Sequence, residues 1–260
     1  MQWVTALDLE RWGASIASRQ AVAKLVGDLV NATVSSITKF RFPDGESGEL
    51  PGPDGYLECE GAPPRVPAGP SYWEFGATGD VLDKANNDYK DRTAEVPEAE
   101  RQRSTFVFVT PRQWKHPRMH LQRWVRERRA EKLWADVAAL DGADLERWLE
   151  DAPPVAARFA RFVLSKPELR GARSLDEYWE WYASRFEFTP PLAEEVLLCG
   201  RAEQARDVLA ALAGPRGTVR FAADAHEEVV AFAVAAARKA EPAATRRRFM
   251  ARTLVVDTAD

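Results

Sequence analysis

The apolar positions of this chain change their period several times, and each change marks an element. Between residues 6 and 34, Leu7, Leu9, Trp12, Ile16, Val22, Leu25, Val26 and Leu29 recur mostly at three- and four-residue steps. That spacing predicts an amphipathic helix or a broken pair of helices. Residues 37–42 read as a strand, and the Pro- and Gly-rich stretch after them supplies turn chemistry. Asp54-Gly55 then opens a run with apolar residues at alternate positions, as in a half-buried strand. After a second Pro/Gly-rich loop, the strand period over 71–78 places Tyr72, Glu74 and Gly76 on one face and Trp73, Phe75 and Ala77 on the other. Asp80 occupies an N-cap position, with Asp83 in the first turn of a helix reaching about residue 92. Along that helix Lys84, Asp88 and either Asp91 or Arg92 share a face.

The run TFVFVT at 105–110 is apolar and bounded by a charged segment and a proline, which predicts a buried central strand. A helix over 118–130, a strand within 133–140 and a helix capped by Asp144 follow, the last broken at Pro153-Pro154. Residues 165–171 mark a boundary. Beyond it the chain is Ala-rich and reads as βαβαβ, with strands at 195–199, 218–222 and 253–257 and helices at 201–213 and 225–239. That rhythm implies a parallel sheet with crossover helices. Two α/β domains are therefore expected, at 1–165 and 166–260. The Gly-Pro-Arg-Gly stretch at 214–217 is no P-loop, because it lies between a helix and a strand and no GK[ST] follows.

Composition narrows the class. With 260 residues, 45% of them hydrophobic and 29% charged, and with nine Trp, the chain has the makings of a folded, soluble protein. No apolar run approaches the roughly 18 residues of a membrane span, so no membrane partner is expected. The N-terminus lacks a basic region followed by an apolar core, which excludes a secretory signal. Cys59 and Cys199 stand far apart without metal-ligand spacing, pointing away from zinc and toward a reducing cytoplasm. A net charge of −4 does not advertise nucleic-acid binding. The run 101–132, however, is dense in Arg and Lys with only Glu127 and Glu131 opposing them, a local surface suited to phosphates. Trp114 and Trp124 within it are expected to face the core, and Trp179 and Trp181 to serve packing or an interface.

The candidate chemistry lies at residues 53–93. Glu74 is an acid on a strand of mostly apolar neighbours, which is unfavourable unless something compensates its charge. A divalent cation shared with Asp54 would do so. Asp54 is preferred to Asp44, which also precedes a glycine, because it leads directly into a strand. Gly76, two positions beyond Glu74, leaves room for a group from elsewhere, and Lys84 is placed to lean over it. Each feature also has a plain structural explanation: a hairpin turn at Asp54-Gly55, a Glu74 carboxylate paired with Arg or Lys, and a solvated Lys84/Asp88 pair.

Pro53-Asp54, followed by Glu74-Phe75-Gly76, resembles the core motif of the PD-(D/E)xK, or restriction-endonuclease-like, nuclease superfamily, with the lysine missing from its usual place. Trp73-Glu74-x-Gly76 and the KAxxDYxxRT pattern from Lys84 to Thr93 resemble a bacterial defence-type branch that moves the lysine to the next helix. The resemblance covers roughly residues 1–160. It implies a mixed sheet flanked by helices, Mg²⁺ or Mn²⁺ held by Asp54 and Glu74, and Lys84 as the catalytic cation in metal-dependent DNA hydrolysis. Arg92, with Arg123 and Arg126 of the basic run, are the candidate phosphate contacts, and Glu10 is the candidate for the extra acid that a helix before the core strands often supplies in the resembled superfamily. In such defence proteins the nuclease head is commonly joined to a nucleoside-triphosphatase and sensor region, which this sequence does not contain. The alternative is a nuclease fold that has lost catalysis and serves as an interaction or regulatory module. RNA as substrate and a homo-oligomeric state remain open.

Overall fold

The structure, a computed structural model, describes residues 3–34, 36–42, 52–166, 171–185, 191–214 and 220–256, the side chain of Gln20 excepted. The chain divides into two compact units, Met1–Ala160 and Arg161–Asp260. Asp44-Gly45 lies outside the described residues, as do 218–219 of the expected 218–222 strand and 257 of the expected last strand.

The first unit is mixed α/β. Its opening pattern resolves into a helix pair, α1 (Ala6–Gly13) and α2 (Ile16–Thr33). The break falls where the Ser15 hydroxyl accepts the Ser18 N–H and starts the second helix. Strands β1 (Ile37–Arg41), β2 (Gly55–Cys59) and β3 (Gly69–Phe75) follow. Then come α3 (Val81–Glu95), the short α4 (Glu98–Arg101), β4 (Thr105–Val109), α5 (Leu121–Ala130), β5 (Asp136–Leu140), α6 (Gly142–Asp151) and α7 (Pro153–Arg158). A π-type turn, Phe159–Val163, continues α7. Pro153 and Pro154 break the helical run as expected, because a proline is tolerated only in a helix's first turn. The cap of α6 is Asp141 rather than Asp144; the two form a reciprocal capping box, with Asp144 at the third helical position.

The five strands make one sheet in the order β1-β2-β3-β4-β5, antiparallel from β1 to β3 and parallel from β3 to β5. The parallel steps are those bridged by helices, α3 between β3 and β4 and α5 between β4 and β5, as parallel pairing requires a crossover. The middle strand is therefore β3 and not the fully apolar β4. β4 is nevertheless buried along its whole length, because it too has a neighbour on each side and helices over both faces.

Register fixes what each face carries. Tyr56 pairs with Tyr72 across β2 and β3, and their rings meet edge to face at 5.1 Å. Tyr72 and Glu74 of β3 are level with Phe106 and Phe108 of β4, which are level with Val137 and Ala139 of β5. This face packs beneath α3 and α5 in a cluster with Val81, Ala85, Tyr89, Trp114, Leu121 and Trp124. The opposite face presents Trp73, Val107 and Leu57, all fully buried. On that side α1, α2, α6 and α7 pack against one another, and the Trp148 indole N–H donates to the Thr33 hydroxyl at 3.0 Å to tie α6 to α2.

The second unit departs from the expected βαβαβ. It holds five helices, α8 (Leu175–Ser184), α9 (Glu194–Leu198), α10 (Ala202–Ala213), α11 (His226–Arg238) and α12 (Ala243–Arg252), with a two-stranded antiparallel ribbon of β6 (Ala172–Arg173) and β7 (Val255–Val256), among the described residues. The stretch expected as a strand at 195–199 is the helical turn α9, and residues 220–222 form neither helix nor strand. The helices at 201–213 and 225–239 stand where the pattern put them. Leu175, Tyr178, Trp179 and Tyr182 of α8 pack on the small residues Ala231, Ala235 and Ala237 of α11. Those alanines thus serve close helix packing and not a helix-on-sheet contact. Trp179 is a core residue, while Trp181 lies between the guanidinium groups of Arg173 and Arg185, 4.5 and 4.9 Å from its ring. Among the described residues, no helix is long and apolar enough to cross a membrane. Cys59 and Cys199 are both free thiols, the first buried and the second exposed.

Candidate active site at the end of the central strand

β2 begins at Gly55, opposite Trp73. One step further out the same register sets Asp54 opposite Glu74, on the face covered by α3. Asp54 extends the ladder with its side chain, its Oδ2 accepting the Phe75 N–H at 3.0 Å. That bond fixes the carboxylate against the end of β3.

Glu74 is buried, with 4% of its surface exposed. Its Oε1 receives the Arg92 Nε–H at 2.5 Å. Burial, and then the charge of Asp54, push its carboxyl up to about 8, with Asp88 adding to the rise and Arg92 opposing it. Asp88 is shifted upward as well, by burial first, with Lys84 opposing and Asp54 adding. Asp54, Glu74 and Asp88 therefore act on one another electrostatically as one group.

α3 supplies the remaining side chains. Asp80 caps it by accepting the Asp83 N–H, which sets Lys84 at the end of the first turn and Asp88 and Arg92 one and two turns on. The Lys84 stem lies over Gly76 as the sequence predicts. A β-carbon built at Gly76 would stand 2.9 Å from Lys84 Cγ and 2.7 Å from Phe108 Cζ. A side chain at that strand position would displace one of them, so glycine there and the lysine overhead belong together.

The partners differ from expectation in two ways. The Lys84 ammonium rests on Asp88, with Nζ and Oδ1 2.6 Å apart, whereas the cation on Glu74 is Arg92. Arg92 is not a phosphate contact in this arrangement. It is buried and bonded to Glu74, to Glu95 and, at 2.9 Å, to the Gly52 carbonyl. A guanidinium committed to those acceptors has little left to offer a nucleic acid.

Glu10 is also spoken for elsewhere. It accepts the Gln113 N–H at 2.6 Å and sits 3.6 Å from Arg112, anchoring the segment after β4 to α1. Those groups line a crevice of about 460 Å³ with residues 79–82 at the start of α3 and with Lys115 and His116. Arg123 and Arg126 lie exposed on α5, with Arg123 paired to Glu127 at 2.8 Å. α5 is held to α3 by the Trp124 indole, which donates to Asn86 at 2.8 Å. Trp114 and Trp124 are buried packing residues, as expected.

The Lys84/Asp88 pair and a Glu74 carboxylate paired with an arginine, the plain structural explanations that the sequence offers, are both formed. What sequence reasoning missed is that Asp88 stands within electrostatic reach of Glu74, although its place four residues beyond Lys84 on the same helix face was the signal. Among the described residues, no group of three or more His, Cys, Asp or Glu side chains is placed to hold a metal ion by itself. Compared with known protein families, curated proteins and solved structures, the chain matches none.

Proposed function

We propose that this protein is a metal-dependent endonuclease that hydrolyses DNA phosphodiester bonds, with Asp54, Glu74 and Lys84 as its reacting set. One observation carries the reading. Asp54 is bonded to the Phe75 N–H beside Glu74 at the end of the central strand and raises the Glu74 carboxyl by its charge, and the stem of Lys84 fills the space above Gly76, where the side chain of a strand lysine would begin. The motif resemblance supports the same assignment and the further proposal that the protein is an effector of bacterial antiphage defence.

The acids suit a hard divalent cation. They offer carboxylate oxygens only; burial, and then the charge of Asp54, lift the Glu74 carboxyl to about 8, and added positive charge counters the second of these. Mg²⁺ commonly binds through one or two carboxylates while keeping several waters, so two acids suffice to hold it. When bound, such an ion lowers the pKa of a coordinated water and neutralises phosphate charge. Asp54 and Glu74 would hold it, Glu74 from a carboxylate oriented by Arg92. Lys84, about one-third exposed at its side chain, brings a cation to the rim of the same cluster for the charge that develops on the phosphate.

Lys84→Ala is expected to slow single-turnover cleavage of plasmid DNA by on the order of 10²-fold or more while leaving DNA affinity nearly unchanged, because the lysine acts in the transition state. Undiminished cleavage would remove Lys84 from the mechanism. The exposed arginines of α5 are the proposed DNA-facing charges, so Arg123→Glu with Arg126→Glu should weaken DNA binding and flatten its salt dependence. An unchanged salt slope would make α5 a solvated face only.

One observation favours the inactive-module reading. The Glu74 carboxylate already has a buried cation at 2.5 Å in Arg92, so it is compensated without any metal. A wild type that neither binds a divalent ion nor cuts DNA would establish that alternative.

A further inference from the structure

Asp88 holds the least satisfied group near this site. Only 10% of its side chain is exposed. One carboxylate oxygen is paired with Lys84, while the other is buried without a hydrogen-bond partner among the described residues. A buried carboxylate oxygen left unpaired forfeits its hydration without replacement, so such an atom calls for an occupant. Charge leads to the same conclusion. Asp54, Glu74 and Asp88 face two cations, Lys84 and Arg92, and Arg92 is shared with Glu95. The cluster is thus short of positive charge, and Asp88 both feels Asp54 and is felt by Glu74.

We propose that Asp88 is a third acid of this site, its unpartnered oxygen holding a divalent cation through that ion's water shell beside Asp54 and Glu74. The inference rests on the metal-dependent reading above. Groups of this kind, one shell out from the ion, typically change metal affinity by about 10–100-fold when altered. Lys84 has a second duty in this arrangement. By taking one oxygen of Asp88 it aims the other, so the lysine and the cation are held by the two sides of one carboxylate.

The test is a thermal-melting titration of the full chain with Mn²⁺ and with Mg²⁺, comparing wild type, Asp88→Asn and the exposed control Asp91→Asn. Wild type and control should be stabilised at the same metal concentration. Asp88→Asn should need about 10–100-fold more metal for the same shift, and without metal should melt no lower than wild type, because a repelling charge has gone. Asp88→Ser, expected to behave likewise, replaces it if the Asn variant does not fold. A metal midpoint unchanged in the Asp88 variant overturns this inference alone, leaving Asp54 and Glu74 as the cation site. A wild type whose melting ignores both metals overturns the inference, and the metal-dependent reading falls with it if plasmid cleavage is absent or persists in EDTA.

Discussion

Arg92→Leu is expected to lower the stability of the protein by about 3 kcal/mol at pH 9, near the lower end of the range for breaking a buried ion pair. The side chain spans from α3 to the end of β3, bonding Glu74, Glu95 and the Gly52 carbonyl. Its removal leaves Glu74 buried without its cation. Glu74 has an escape, because burial and Asp54 already lift its carboxyl to about 8, and a protonated acid is cheaper to bury. That escape sets the pH dependence. A carboxyl raised in the folded state above its unfolded value contributes stability that is fully present below about pH 4.5 and is lost as pH rises through the folded value. Without Arg92 the folded value climbs further, so the deficit relative to wild type should be smaller at pH 6 and larger at pH 9. Urea denaturation at the two pH values measures this. A deficit under about 1 kcal/mol, or one independent of pH, would contradict the assigned role of Arg92.

The sheet of the first unit was legible chiefly where a strand alternates, as in β2, or is an unbroken buried run, as in β4. Tyr72, Glu74 and Gly76 could be put on one face from spacing alone, and the register agrees. The Asp80 cap and the lean of Lys84 over Gly76 were legible for a similar reason, since both follow from local geometry. The fate of Arg92 was not. A long side chain on a helix face reaches any of several partners, and only the packing of α3 on β3 selects Glu74. Strand order also escaped a reading by hydrophobicity. β4 is the more apolar strand, yet β3 lies in the middle, because the antiparallel β2 and the parallel β4 both pair with it.

The second unit failed for a different reason. Short apolar runs such as Val196-Leu197-Leu198 fit a buried strand and one turn of helix equally well, and periodicity over so few residues does not separate them. The Ala-rich helices beside them looked like crossovers, whereas their small side chains admit the aromatic face of α8.

Asp54 offers the most direct test of the central claim. Replacing Glu74 would leave Arg92 buried without its partner and confound activity with folding. Asp54 is only half-buried at the rim, and an Asn there still has an oxygen to accept the Phe75 N–H. The change removes the negative charge and little else. If Asp54 holds the catalytic cation, several kcal/mol of transition-state stabilisation depend on it, and at 1.36 kcal/mol per tenfold the loss should be on the order of 10³-fold. The measurement is the single-turnover rate of supercoiled plasmid cleavage by wild type and Asp54→Asn in Mg²⁺ or Mn²⁺, with EDTA as the metal-free control. The prediction is nicked and linear product from wild type with metal, none with EDTA, and a rate for Asp54→Asn lower by about that factor. Cleavage that persists in EDTA, or that Asp54→Asn performs as fast as wild type, would contradict the account.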